Sequence, residues 1–122
     1  MNILLICPNN DPVGVVHNLY NAINQHTEHQ AKYTVGNIDP AELLVMMETA
    51  DVIHYNQEFS HTDLIPSGKK VVFHGHGGAW LLNPDPIVAM CRLLKARMVT
   101  CSPIDEAVVP GIKWLPNILD MS

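Results

Sequence analysis

Short aliphatic runs alternate with segments of helical periodicity along the whole chain, and this alternation constrains the fold more than any other feature. Residues 2–7 are almost all aliphatic, which is typical of a strand covered on both faces of a parallel sheet. The apolar residues between positions 15 and 23 then recur at helical spacing and predict a first helix. Further strands are predicted at residues 30–35, 51–55, 69–74, 97–101 and 112–115.

Two Asp-Pro pairs indicate where further helices begin. Asp39 can accept hydrogen bonds from free backbone amides, and Pro40 suits the first helical turn, where no donor is needed. Glu42 favours the positive end of the helix dipole. Asp85-Pro86 repeats the pattern, and residues 102–105 are predicted to begin a short helix. We therefore predict an α/β fold, a Rossmann-like doubly wound and mainly parallel sheet of about six strands with helices on both faces.

Composition narrows the class of protein. The 122 residues suit one domain, residues 1–122. The net charge of −5 and the scattered basic residues argue against a nucleic-acid partner. No apolar run approaches the ~20 residues of a membrane span, and the N-terminus lacks the basic region of a signal peptide. Three cysteines without a C-x-x-C pair favour buried, reduced thiols in the cytoplasm, with a nucleophilic Cys7 or Cys101 as the alternative.

Polar and glycine residues follow the predicted strands, at the edge where such sheets bind ligands. Gly14 opens the first helix, so the amides there can hold a phosphate or carboxylate, with a purely structural, close-approach turn as the alternative. Neither a G-x-G-x-x-G fingerprint nor a P-loop is present, which argues against a nicotinamide or P-loop nucleotide site. The candidate binding residues in these loops are Asn10, Gly14, Asn56, Gly75, His76, Gly77 and Ser102.

The segment His74-Gly75-His76-Gly77-Gly78 is the most informative one. A strand that ends in histidine puts an imidazole at the sheet edge, and the glycines let a ligand approach the backbone. His74 can donate a hydrogen bond to a hydroxyl or phosphate, or carry a proton near neutral pH.

Non-catalytic interpretations of the histidines and of Glu58 remain open. His74 can instead satisfy a loop carbonyl, and Glu58 is either a carboxylate base or a solvated charge. The H-x-H pair lacks a third metal ligand at recognisable spacing, because Cys101, His54 and Glu58 are candidates by fold alone. We expect no bound metal.

Four segments, taken in order, resemble one family. The chain is similar to the N-terminal, acceptor-side domain of a GT-B glycosyltransferase, in the retaining group that includes glycosyltransferase family 4. The segments are Met1–Gly14, Ala50–Asn56, Val71–Gly77, and Met98–Ser102 with Val109–Asn117.

The resemblance implies roles for individual residues. The loop around Gly14 would face the interdomain cleft near the donor phosphates. His74 falls on the histidine that helps to place acceptor and sugar, and Asn56 would line the acceptor side. Asn117 would lie near the crossover into a second domain. Two positions depart from the family: Val13 replaces the first glycine of the usual pair, and Ile118 replaces the glycine after Pro-Asn.

The implied function is that of the acceptor-side half of a hexosyltransferase, with a nucleotide-sugar as co-substrate and no other cofactor. The donor-binding second domain is missing from this sequence, so the resemblance predicts little catalysis without a second domain or subunit. The alternative is a stand-alone, non-catalytic binding module for a nucleotide, a sugar or another small anionic ligand. Without a second domain, the surface that would contact it is expected to expose an apolar patch, which predicts a weak homodimer. The apolar residues near this surface in sequence are Trp80, Leu81, Leu82 and Trp114.

Overall fold

The computed structural model describes residues 1–7, 15–35, 37–75, 84–100, 109 and 111–114. Strands and helices alternate through these ranges, as the hydrophobic pattern predicts. Their bounds are β1 Asn2–Cys7, α1 Val15–His26, β2 Gln30–Val35, α2 Pro40–Thr49, β3 Val52–Asn56, β4 Lys70–Gly75, α3 Pro84–Leu94, β5 Arg97–Thr100 and β6 Lys113–Trp114, with a 3-10 turn at Thr62–Leu64.

All the strands belong to one parallel sheet, in the order β2-β1-β3-β4-β5-β6. Five of them have four to six residues, whereas β6 is a two-residue segment on the edge of β5. The predicted α/β class and parallel sheet are therefore confirmed. Within the described residues the predicted strand at 112–115 comprises only Lys113–Trp114, so the described part of the chain has five full strands where about six were predicted.

Helices pack on both faces of the sheet because successive side chains of β1 point in opposite directions. Leu4 and Ile6 belong to a hydrophobic cluster that includes residues of α2 and α3. Leu5 and Cys7 belong to a second cluster with Val16 of α1. This arrangement is consistent with a Rossmann-like fold. No helix in the described ranges has the length and apolar character needed to span a membrane.

Local interactions fix both ends of α2. The Asp39 carboxylate accepts a hydrogen bond of 3.3 Å from the backbone N–H of Glu42, which confirms the predicted cap. At the other end, the Lys69 ammonium donates to the carbonyls of Glu48 and Ala50. Both helix ends are thereby supplied with partners for backbone groups that the helix itself cannot satisfy.

Candidate functional site

The sheet order places a topological switch point between β1 and β3. The chain leaves β1 toward β2 on one side and returns to β3 on the other side. In open α/β sheets, ligands bind beyond the carboxyl ends of the strands at such a point. The strands β1 and β3 end there, and β4 ends beside β3, where Asn56 pairs with His74 in the register. Two residues singled out from the sequence are therefore neighbours at this edge.

Asn56 is completely buried and connects two strands. Its carboxamide Nδ2 donates to the carbonyl of Ile6, at 3.3 Å, and to the carbonyl of His54, at 3.2 Å. Ile6 is in β1, so this side chain links the carboxyl end of β1 to that of β3. The geometry gives Asn56 a positioning role, and direct contact between Asn56 and a ligand stays a prediction.

His74 is the penultimate residue of β4 and is 7% exposed. Its ring stacks on that of His54, with 5.4 Å between the ring centroids and 29° between the planes. His54 lies within β3 and is half-buried, as expected for a strand residue that packs. The buried Gly75 follows His74 and ends the strand. An imidazole and a residue without a side chain thus stand together at the carboxyl edge.

Gln57 directly follows β3, where the sequence predicts residues placed to meet a ligand, but the sequence gives no sign of its backbone conformation. Its φ angle is 72°, in the left-handed region that non-glycine residues seldom occupy. Its backbone N–H donates to the His74 carbonyl at 2.9 Å, and the N–H of Glu58 donates to the Asn56 carbonyl. Strained backbone of this kind is concentrated at functional sites. The half-buried Gln57 side chain begins the loop beside His74.

Replacing Gln57 by Gly is expected to stabilise the protein by about 1 kcal/mol, because glycine adopts positive φ without steric strain. Chemical denaturation of the purified chain measures the change. Gln57→Ala is the matched control, since it also removes the carboxamide but keeps the strained backbone. A Gly variant that is less stable than the Ala variant would show that φ strain does not govern stability at this position.

Aromatic contacts hold the loop that Gln57 begins. The Tyr55 hydroxyl donates to the Ser60 carbonyl at 2.6 Å. The Phe59 ring lies 5.0 Å from that of Tyr55 and 4.5 Å from that of Phe73, between ring centroids. Burial, with a smaller contribution from the charge of Asp63, raises the pKa of Tyr55, so its hydroxyl stays a donor. The loop is therefore pre-organised beside the candidate site.

Cys91 lies in α3, away from this edge, and is 1% exposed. Burial raises the pKa of its thiol to about 11. Cys7 ends β1 and is equally buried. With its raised pKa, Cys91 is a poor nucleophile, because the thiolate is the reactive form.

The Cys91 thiol gives a pH dependence with a defined sign. The unfolded thiol ionises near its ordinary pKa, whereas the folded thiol keeps its proton to about pH 11. The free energy of unfolding should therefore decrease between about pH 9 and pH 11, by at most ~1.4 kcal/mol per pH unit. Urea titrations of wild type and Cys91→Ala measure this effect. The variant should lose less stability across that interval, and equal losses would contradict the assignment.

The described part of the chain contains no group of three or more His, Cys, Asp or Glu side chains that could hold a metal ion. Several predicted features lie outside the described residues, including the short helix at 102–105. So do the following candidate residues: Asn10, Gly14, His76, Gly77, Cys101, Ser102 and Asn117, together with the apolar Trp80, Leu81 and Leu82.

A groove of about 650 Å³ lies at the opposite, amino-terminal edge of the sheet. Its walls include the starts of β1 and β2 and the end of α2, among them Asn2, Gln30 and Thr49. It brings together none of the residues that the sequence predicts for a site. The carboxyl edge therefore remains the candidate site on chemical grounds.

Comparison with models of known families, with curated proteins and with solved structures finds no significant match. The likeness to GT-B glycosyltransferases consequently rests on the four sequence segments described above.

Proposed function

We propose that this chain is the acceptor-side half of a GT-B-type glycosyltransferase, which transfers a hexose from a nucleotide-sugar to an acceptor hydroxyl. One observation carries the proposal: Asn56 and His74 are buried neighbours at the carboxyl edge, next to the switch point between β1 and β3. In α/β folds of this kind the ligand lies at that place.

His74 would orient the acceptor hydroxyl by a hydrogen bond. Gly75 leaves room for the ligand to approach the backbone. Asn56 would keep the ends of β1 and β3 at a fixed spacing, which favours a productive orientation of the reactants. The nucleotide-sugar would be held mainly by a second domain or subunit.

A thermal-shift screen tests the proposal with the chain as it is. The ligands are simple saccharides, UDP-, GDP- and ADP-sugars, and free nucleotides. At least one sugar-containing ligand should raise the melting temperature, because binding at a hundredfold excess over Kd adds about 2.7 kcal/mol of stability. His74→Ala should abolish this shift. His26→Ala is the matched control, since His26 is exposed at the end of α1, away from the carboxyl edge.

Two results would contradict the proposal. One is the absence of a shift with every sugar-containing ligand, and the other is a shift that survives in His74→Ala. Stabilisation by free nucleotides alone would instead support the stand-alone binding module.

A further inference from the structure

The strand β2 lies at one edge of the sheet. In the described part of the chain it pairs with β1 alone. Successive residues of such a strand direct their backbone N–H and C=O groups alternately to its two sides. The N–H of Gln30 donates to the carbonyl of Met1, which directly precedes β1, so the even-numbered residues of β2 face β1. The backbone groups of Ala31, Tyr33 and Val35 therefore face outward.

Two of these three outward-facing residues already have partners inside the chain. The Asn24 carboxamide of α1 accepts from the N–H of Ala31 at 2.8 Å and donates to the Ala31 carbonyl at 3.2 Å. The Val35 carbonyl accepts from the N–H of Ile38 at 3.3 Å. Neither backbone group of Tyr33 has a hydrogen-bond partner among the residues that the structure describes. At Tyr33, a donor and an acceptor are therefore both open to another strand.

The Tyr33 side chain belongs to a cluster of three aromatic rings on the α1 side of the sheet. Its ring centroid is 5.0 Å from that of Tyr20 and 6.4 Å from that of His17, and its plane is nearly perpendicular to both. Tyr33 is 41% exposed, and His17 is also exposed. Tyrosine is enriched in protein interfaces, since it buries a large area at a low cost in side-chain freedom. Exposed rings thus adjoin the open backbone groups.

Charge limits which partner this surface can take. The chain has a net charge of −5, so two copies approach each other most easily where charge is absent. The helix α1 contains no Asp, Glu, Lys or Arg. The one charged residue of β2 is Lys32, which points to the opposite face of the sheet from Tyr33. The surface formed by α1 and Tyr33 is therefore uncharged and aromatic, as the cores of protein interfaces are.

We propose that β2 pairs antiparallel with β2 of a second copy of this chain, about a two-fold axis through Tyr33 and perpendicular to the sheet. In this register Tyr33 lies opposite Tyr33 of the second copy, and each donates its N–H to the carbonyl of the other. Lys32 lies opposite Thr34 of the second copy, so the two lysines do not face each other. The rings of His17 and Tyr20 flank the axis on both sides.

Asn24 limits the length of this pairing. In the same register Ala31 lies opposite Val35 of the second copy, but the Asn24 carboxamide already occupies both backbone groups of Ala31. The paired segment is therefore short and the dimer weak. The surface contains none of the apolar residues from which the sequence predicts a homodimer, at positions 80–82 and 114. The inference is independent of the proposed glycosyl transfer.

Sedimentation and amide hydrogen exchange of the purified chain, from micromolar to millimolar concentration, test the inference. The wild-type chain should dimerise reversibly, and added salt should tighten the dimer because it screens the repulsion between two acidic copies. Exchange at the Tyr33 amide should slow as the dimer forms, since its N–H becomes bonded. Lys32 is the internal control: its N–H faces β1, so its exchange should not depend on concentration.

Three variants test the register. Tyr33→Lys places two like charges directly opposite each other and should weaken association at least tenfold. Leu93→Lys is the matched control, since Leu93 is 75% exposed in α3 and should leave association unchanged. Asn24→Ala releases the backbone groups of Ala31 for Val35 of the second copy and should tighten the dimer at least tenfold. Circular dichroism melts establish that each variant is folded.

A wild-type chain that stays monomeric to millimolar concentration would overturn the inference and leave the open edge to an extended segment of another protein. A dimer that Tyr33→Lys does not weaken, with exchange at the Tyr33 amide independent of concentration, would also overturn it, because the contact would then lie on another surface. Neither result would affect the proposed function, which is tested by ligand binding to the single chain.

Discussion

Replacing Asn56 by Asp is expected to destabilise the protein by about 3–5 kcal/mol at pH 7, as measured by urea denaturation. Asn56 has no exposed surface, and its carboxamide donates hydrogen bonds to the Ile6 and His54 carbonyls. A carboxylate cannot donate, so both bonds are lost and a negative charge is placed against two carbonyl oxygens in a buried site. Because Asn and Asp have nearly the same shape, the effect is electrostatic.

The loss in free energy of unfolding that Asn56→Asp causes, relative to wild type, should depend on pH. Burial raises the pKa of the introduced carboxyl above its unfolded value of about 3.9. A raised pKa means that the folded state is favoured at low pH and loses stability as pH increases. The difference from wild type should therefore grow by about 1.4 kcal/mol per pH unit above pH 4, until the folded carboxyl ionises.

Asn56→Leu is the control for this pH dependence. It also removes the carboxamide and leaves the two carbonyls without these donors, but it introduces no titrating group. Its deficit relative to wild type should be the same at pH 4.5, 6 and 7.5. If the deficit of Asn56→Asp is also constant over this range, the carboxyl does not sit in the buried site that the structure shows for Asn56.

The elements of this fold could be predicted because their signals are local. The aliphatic run at residues 2–7 is typical of a strand covered on both faces, and β1 has the same bounds, Asn2–Cys7. Asp39 and Pro40 act within a single helical turn, so their role does not depend on the rest of the chain. The proximity of Asn56 and His74 also follows from a simple rule, because parallel strands end at the same edge. The structure adds the strand register, in which Asn56 of β3 pairs directly with His74 of β4.

The remaining features depend on contacts that no local pattern encodes. Gln57 has a side chain and therefore gives no sign of the positive φ that a glycine would suggest. The Tyr55–Ser60 hydrogen bond needs the loop to fold back on β3. No local pattern encodes the hydrogen bond from the buried Asn56 carboxamide to the carbonyl of Ile6 in the neighbouring strand, and contact between Asn56 and a ligand stays a prediction. Side-chain roles at the site were thus less predictable than the strands that carry them.

Phe73→Ala is expected to cost about 3–5 kcal/mol in the free energy of unfolding, because a fully buried aromatic side chain is replaced by a cavity. Phe73 belongs to the larger hydrophobic cluster, where it contacts the ring of Phe59. A domain of this size has a total stability of roughly 5–15 kcal/mol, so the loss would be a large fraction of it. Urea denaturation at pH 7 measures the change.

Phe73→Leu is the control, since it keeps most of the apolar volume and should cost about 1.5 kcal/mol or less. The same two variants test whether the Phe73 ring stabilises the hydrophobic core alone or also holds the loop at residues 57–61. Phe59 rests on Phe73 and Tyr55, so removal of the Phe73 ring should loosen residues 57–61 more than the helices. Hydrogen exchange should then show faster exchange at Gln57, whose amide bonds to the His74 carbonyl. Unchanged exchange at Gln57 in Phe73→Ala would mean that the aromatic contacts do not hold the loop, and that the hydrogen bonds of Gln57 and Tyr55 suffice.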